Sequence, residues 1–241
     1  MHFSTSSVLA AVAAGASTVS ALTGSLGDAP KTTGNPTDVV YEAKFSSAQV
    51  KSAYLNFTGA PDGNGVLVHV CVSGVNASTP GPYPYHIHDF VVGSGENCTA
   101  TGAHLDPYLR NDTVACDSTA PQTCQVGDLS GKHGDLPAEA ALDTPYCTSY
   151  TDDFLSLDAS NKAFIGNARS IVVHNINKVR LACGDLTMVS GSASVAGAGS
   201  STPSTSPTTS STPAVSTGGA AVIGVSSLAL TIVVGAAAML F

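Results

Sequence analysis

Val66-Leu-Val-His-Val-Cys-Val72, preceded by Val50-Lys-Ser-Ala-Tyr-Leu-Asn-Phe57 and the linker Pro61-Asp-Gly-Asn-Gly65, decides the fold class of this chain. Both runs are short and rich in β-branched and aromatic residues. The linker holds Gly and Asn, which accept the positive φ of a hairpin turn. His69 alternates with Val68 and Val70, so on a strand it shares a face with Leu67 and Cys71, a surface or packing position. Similar runs lie outward at 39–45, 83–92, 154–157, 171–174 and 179–183. Between the apolar ends of the chain no stretch has a convincing 3.6-residue apolar period. Many short strands with long loops predict an all-β domain, a sandwich or a Greek-key barrel. Residues 97–134, rich in Gly, Asp, Pro and Cys, make a loop so long that its order needs a staple or a metal.

The ends say where the domain is used. Residues 1–21 carry no Asp, Glu, Lys or Arg and finish in Val19-Ser20-Ala21, which reads as an export signal with a small-residue cleavage site. Residues 22–189 have the size of one domain with one core. Residues 190–217 form a Ser/Thr/Pro/Gly/Ala tract, read as an O-glycosylated stalk. Residues 218–241 are apolar to the last position, the pattern of a glycosylphosphatidylinositol (GPI) attachment tail that is removed when the lipid is added. Six cysteines in an exported chain point to disulfides. Sequons at Asn56, Asn76, Asn97 and Asn111 add the same address. The expected location is extracellular, at the cell surface, with a lipid anchor to plasma membrane or cell wall. A net charge of −8 argues against nucleic acid as a partner.

Four histidines carry the chemistry. In Tyr85-His-Ile-His-Asp-Phe90, His86 and His88 project from one strand face while Ile87 turns to the core. His104 lies in Thr101-Gly-Ala-His-Leu-Asp-Pro107, and His174 ends Ser170-Ile-Val-Val-His174. An all-imidazole set suits copper or zinc better than calcium or magnesium. A single His-x-His pair is more often a polar strand face, so the case rests on the full set. His133, between glycines in Ser130-Gly-Lys-His-Gly134, reads as a loop residue and not a ligand.

Taken together these residues resemble the copper/zinc superoxide dismutase family, and within it the copper-only type of fungal cell surfaces. The resemblance spans about residues 66–189. It is carried by the aromatic-His-x-His-acid-aromatic strand, by Cys98 six residues before His104, by Val172-Val173-His174, and by Arg180-Leu-Ala-Cys-Gly184. It implies an eight-stranded Greek-key barrel of the immunoglobulin-like kind with long loops, a Cys98–Cys183 disulfide, and one copper held by His86, His88, His104 and His174. Arg180 stands where the family has its active-site arginine.

The departures are as informative. Zinc-type members have a His just before Val-Gly-Asp; here the run is Gln125-Val-Gly-Asp128, with no other His between His104 and Gln125. His104 and Asp128 alone cannot fill a closed four-ligand zinc site, so no zinc is expected. The long charged loop of zinc-type members before the arginine is reduced to Asn175-Ile-Asn-Lys-Val179. Copper-only relatives usually have a carboxylate where Gln125 stands.

Converting superoxide to oxygen and hydrogen peroxide needs a metal that cycles between oxidation states, which zinc cannot do. Arg180, permanently charged, is the candidate to hold the anion. Asp128 is expected to accept a hydrogen bond from the far nitrogen of His104. Cys71, Cys116, Cys124 and Cys147 admit three pairings; Cys116 with Cys124, stapling the long loop, and Cys71 with Cys147 are preferred. The expected protein is a monomer with superoxide as substrate and the membrane reached through the GPI lipid. Two other readings compete. One is a copper-binding or copper-buffering surface glycoprotein without turnover, supported by Gln125. The other is a structural wall glycoprotein, which the complete histidine set disfavours.

Overall fold

Alternation along β2 (Val50–Gly59) and β3 (Val66–Val75) buries Ala53, Leu55 and Phe57 on one strand against Val66, Val68, Val70 and Val72 on the other. Apolar burial on one side of each strand is what drives these segments together. The computed structural model describes residues 24–76, 80–166 and 168–191. The expected export signal and anchor tail, and the stalk beyond residue 191, lie outside those residues. Gly59 pairs with Val66 across the hairpin, and Gly63 and Gly65 both take φ of 75°. At Gly65 a Cβ would stand 2.6 Å from the Asp152 carbonyl oxygen, so only glycine fits that turn.

The remaining strands are β1 (Val40–Phe45), β4 (Tyr85–His88), β5 (Tyr146–Asp152), β6 (Ser170–His174), β7 (Arg180–Asp185) and β8 (Thr187–Ser190). They form two antiparallel sheets, ordered β5-β3-β2-β1-β8 and β4-β6-β7. Tyr41 and Phe57 from the first sheet and Ile87 and Val173 from the second belong to one buried cluster. No ladder joins the two sheets among the described residues, so barrel closure is not seen. No helix among these residues is long and apolar enough to cross a membrane.

Several expectations are corrected. Residues 154–157 form no strand, only a bridge from Ser156 to Phe164. The run is buried throughout, but side chains satisfy part of its backbone: Thr32 Oγ1 donates to the Leu155 carbonyl at 2.5 Å, and Asn35 Oδ1 accepts from Leu157 N at 2.8 Å. The run at 83–92 shortens to β4, because Asp89 N and Phe90 N turn to the carbonyls of Ala103 and Thr101. β5 and β8 were not anticipated. β5 alternates half-buried with exposed residues until its last position, and β8 is exposed along its whole length, so neither presents a continuous apolar face. The long segment contains three unexpected helical turns, two of the 3-10 type at Cys98–Thr101 and Pro121–Thr123 and one α-helical, α1 (Leu129–His133).

Three disulfides link Cys71–Cys147, Cys98–Cys183 and Cys116–Cys124. The first joins directly opposed residues of β3 and β5; the second ties the loop before His104 to β7. Of the sequon asparagines, Asn76, Asn97 and Asn111 are exposed, whereas Asn56 is half-buried in β2 with its amide 3.4 Å from Glu42 Oε1.

Candidate metal centre

The site is assembled on the edges of β4. On one edge His86 pairs with Val172 of β6 and His88 with Ser170. On the other, Ile87 N donates to the Gly127 carbonyl (2.9 Å), Leu105 N to the Ile87 carbonyl (2.8 Å) and Gly127 N to the Leu105 carbonyl (2.8 Å). A Cβ on Gly127 would lie 2.4 Å from the Ile87 oxygen, so glycine is what allows the three chain segments to meet. This closure carries His104 and the strap of residues 125–133 to the same place as the strand pair. His174 arrives from the end of β6, at a bulge between Val173 and His174. Each of the four rings can offer a nitrogen, and all four nitrogens lie within 4.8 Å of one another.

The hydrogen bonds around each ring decide which nitrogen faces inward. A carbonyl oxygen only accepts, so the nitrogen opposite it carries the proton and the other keeps its lone pair. His88 Nδ1 donates to the Gly102 carbonyl (3.0 Å), His174 Nδ1 to the Lys178 carbonyl (3.4 Å) and His104 Nδ1 to Gln125 Oε1 (2.7 Å). Each of these rings is left with a bare Nε2. His86 is reversed: its Nε2 meets Ser130 Oγ at 3.1 Å, and the Ser130 hydroxyl is also bonded to Asp135. The hydroxyl proton goes to the carboxylate, so His86 Nε2 is the donor and Nδ1 carries the lone pair. That Nδ1 is buried without any hydrogen-bond partner. His88 Nε2 and His174 Nε2 lie only 3.2 Å apart, lone pair toward lone pair. Four converging bare nitrogens need a cation between them, and an all-imidazole set suits copper or zinc.

Burial keeps the rings in the neutral state that binds metal. It pushes His88 down to about 3 and His174 down to about 4, with the neighbouring imidazole His104 and the Arg180 charge adding to the effect. His86 falls well below its ordinary range for the same first cause. A second grouping, His69 with Cys71 and Cys147, is not a metal site, because both sulfurs are in a disulfide and His69 Nδ1 is 2.7 Å from Ser149 Oγ.

Arg180 begins β7 opposite His174. Its Nη1 donates to Thr101 Oγ1 (2.9 Å), the Thr99 carbonyl (3.2 Å) and the Cys98 carbonyl, and its Nη2 to the Gly102 carbonyl (2.6 Å). The Gly102 oxygen also receives His88 Nδ1, so guanidinium and ligand are fixed on one atom. Nε–H and the second Nη2 hydrogen have no acceptor among the described residues.

Asp128 does not receive the far nitrogen of His104; Gln125 does. The chain turns at Gly127, and Asp128 becomes the N-cap of α1, accepting from Gly131 N at 2.8 Å, with Oδ1 3.5 Å from His86 Nε2. A cavity of about 390 Å³ opens onto His86, His104 and His174 and is lined also by Gln125, Asp128 and Lys178.

Sequence reasoning missed the support beneath the strap. Lys132 has a fully buried side chain whose Nζ lies 2.5 Å from Asp152 Oδ2 and 2.8 Å from the Val126 carbonyl. His133 stands outside the metal cluster: it bonds Asp152 Oδ2 at 2.8 Å and stacks on Tyr150, whose hydroxyl reaches Tyr85 at 2.9 Å. In Ser130-Gly-Lys-His-Gly134 nothing marks this lysine as buried. Ser130 and Asp106 were missed as well, for their contacts depend on the path of the loop.

Residues 51–192 match the family model described as copper/zinc superoxide dismutase (SODC). The chain is 35% identical over 173 residues to the cell surface superoxide dismutase [Cu-Zn] 4 of Candida albicans, covering 71% of this chain and 70% of that protein. It is 37% identical over 166 residues to the cell surface Cu-only superoxide dismutase 5 of the same organism, covering 68% and 67%. A solved structure of Candida albicans superoxide dismutase 5 with Cu(II) superposes with a TM-score of 0.54 at 31% identity, over 70% of this chain and 99% of that one. The names of the two relatives differ on zinc, which leaves metal content to be argued from the residues present here.

Proposed function

The chain belongs to the copper/zinc superoxide dismutase family, and from that premise we propose that it is an extracellular copper-only superoxide dismutase. The observation that carries the reading is the convergence of four bare imidazole nitrogens, one of them a buried and otherwise unpartnered Nδ1. Copper held by His86 Nδ1 and by Nε2 of His88, His104 and His174 would alternate between two oxidation states, oxidising one superoxide to oxygen and reducing a second, with two protons, to hydrogen peroxide. Arg180 holds the anion through the donors its loop contacts leave over. Since the chain is acidic overall, with a net charge of −8, attraction must be local. His104 keeps its Nδ1 proton on Gln125, so Nε2 is its one site for a further proton, open to the cavity only while that nitrogen does not hold the metal.

One copper and no structural zinc is the metal content this reading requires. It is supported by the use of the remaining donors, since His104 Nδ1 is held by an amide oxygen and Asp128 by the start of α1. The reading also takes the two sheets as halves of the family's eight-stranded Greek-key barrel, residues 22–189 as a monomeric domain, and the flanking segments as signal, stalk and removed GPI tail. The exposed Asn76, Asn97 and Asn111 are its glycan sites, with Asn56 one only if its amide leaves Glu42, and the plasma membrane or cell wall is its place. Gln125 favours one rival, a copper-buffering surface protein without turnover.

Metal analysis and a superoxide assay on the secreted domain test the proposal together. One copper, little zinc and rapid dismutation are expected; stoichiometric tightly held zinc sinks the copper-only reading. His88→Ala should lose copper and activity, while Arg180→Ala, with Cys98–Cys183 still fastening residues 97–102, should keep copper and lose about 10²–10³-fold in rate, the usual cost of one missing donor to a developing charge. Full activity in Arg180→Ala at low ionic strength removes Arg180 from the role assigned.

A further inference from the structure

An amide beside a ligand poses a problem that a carboxylate does not. Both oxygens of a carboxylate accept, so either way round it holds a ring N–H. The amide of Gln125 has an acceptor at one end and donors at the other. With Oε1 toward His104 Nδ1 it selects the Nδ1–H tautomer and leaves Nε2 bare for the cluster. Turned over, it would donate to Nδ1, select the Nε2–H tautomer and remove one of the four lone pairs.

We infer that Asp106 is the positioning residue that prevents this reversal. Gln125 Nε2 donates to Asp106 Oδ2 at 3.2 Å, and a carboxylate offers nothing that Gln125 Oε1 could accept. Asp106 is itself held from behind: Arg110 N donates to Oδ1 at 3.0 Å and Asn111 N to Oδ2 at 2.7 Å. The backbone turn at residues 110–111 thus fixes the carboxylate, which fixes the amide, which fixes the ring. In this chain the negative group sits one hydrogen bond farther from His104 than it would with an acid at position 125. The inference rests on the reading of His104 as a metal ligand, but its first readout does not require metal.

Nitrogen-15 NMR of the imidazoles in the folded, metal-free domain reports the tautomer of His104. The unmodified protein should show Nδ1–H alone; an Nε2–H ring there overturns the inference before any variant is made. Asp106→Asn, whose side-chain NH2 can donate to Gln125 Oε1, should mix the two tautomers. It should also weaken copper retention against a chelator by about tenfold, the low end for an outer partner of a metal ligand. In a Gln125→Glu background the same Asp106→Asn change should leave the ring as Nδ1–H and copper retention unchanged or improved. Loss of backbone anchoring at residues 110–111 would lower thermal stability equally in both backgrounds and move neither tautomer. An unmixed Nδ1–H ring in Asp106→Asn, or equal copper loss in both backgrounds, refutes the positioning role. If the tautomers shift as expected but the unmodified domain binds no copper, the proposed function fails and this inference stands.

Discussion

Residues 97–102, which supply the carbonyl under His88, are fastened by the covalent Cys98–Cys183 bridge and by Arg180, whereas residues 125–133, which supply the partners of His86 and His104, are fastened by a salt bridge sealed inside the protein. Cys116–Cys124 ends just before this second strap and does not reach α1. One wall of the histidine cluster is therefore vulnerable to reductant and the other to loss of a buried charge. The disulfide acts mainly on the unfolded chain, by limiting its freedom. The Lys132–Asp152 pair acts on the folded one, where each partner offsets the desolvation of the other. Arg180 belongs to the first wall, and both hydrogen-bonding side chains that hold His86 and His104 belong to the second.

The largest effect expected is on the covalent wall. Replacing Cys98 and Cys183 together by serine should cost about 4–5 kcal/mol of domain stability, because the bridge closes a loop of 85 residues. Copper should be lost before the β2–β3 sheet melts. Denaturant titration followed by copper release and by far-ultraviolet circular dichroism separates the two events, and simultaneous loss would show that this wall is not a local fastening.

Next comes the ionic wall. Lys132→Met leaves Asp152 buried without its cation and should cost roughly 3–5 kcal/mol, whereas Lys132→Met combined with Asp152→Leu should recover much of that. Hydrogen exchange at residues 125–131 should accelerate in the single variant while residues 98–102 stay protected. Equal acceleration of both segments would mean that the walls are not independent.

Acid should distinguish the two classes of group by the order in which they fail. His88 and His174 are held at about 3 and about 4 when folded, against 6.5 for a free ring, so the unfolded chain takes up protons first. Stability of the metal-free domain should then fall as pH drops below about 6.5. At Asp152, burial alone would raise the carboxyl, but Lys132 and His133 outweigh it and bring it to about 2. Its contribution is complete above the ordinary carboxyl value near 3.9 and is lost as pH falls from there toward 2. Stability measured at a series of pH values should start to decline below about 6.5 and steepen below about 3.9, where the carboxyl loss overlaps the end of the histidine loss, and Lys132→Met with Asp152→Leu should abolish only the added steepness at low pH.

How far the chain could be read follows the same division. His86 and His88 were legible as a same-face pair because a strand has a period of two, and His104 and His174 because each stands in a short motif. The β2–β3 hairpin was legible from its valines and its Gly-containing turn. The supports were not. Asp128 was assigned to the wrong ring because the turn at Gly127 carries it to the head of α1. The burial of Lys132 is a property of the path that brings α1 against β5, and β5 itself, at a sheet edge with polar residues on its outer side, presents too little apolar pattern to be noticed.

The smallest effect expected is also the one that bears most directly on turnover. Gln125→Glu places a negative charge beside His104, which favours a protonated ring over a neutral one more than an amide does. Proton delivery should then persist to higher pH, and the fall-off of activity on the alkaline side should move upward. The same substitution, however, sets two carboxylates where Gln125 Nε2 and Asp106 Oδ2 now share a hydrogen bond at 3.2 Å. Like charges at that range oppose each other, so the gain should stay within about tenfold and should grow when Asp106 is also changed to Asn. Activity followed from neutral to alkaline pH in Gln125→Glu, alone and with Asp106→Asn, decides the matter. A larger gain in the double variant places the limiting charge on the strap side of the cluster. Profiles identical to that of the unmodified protein would mean that His104 takes no part in proton delivery, and the copper-buffering reading would gain accordingly.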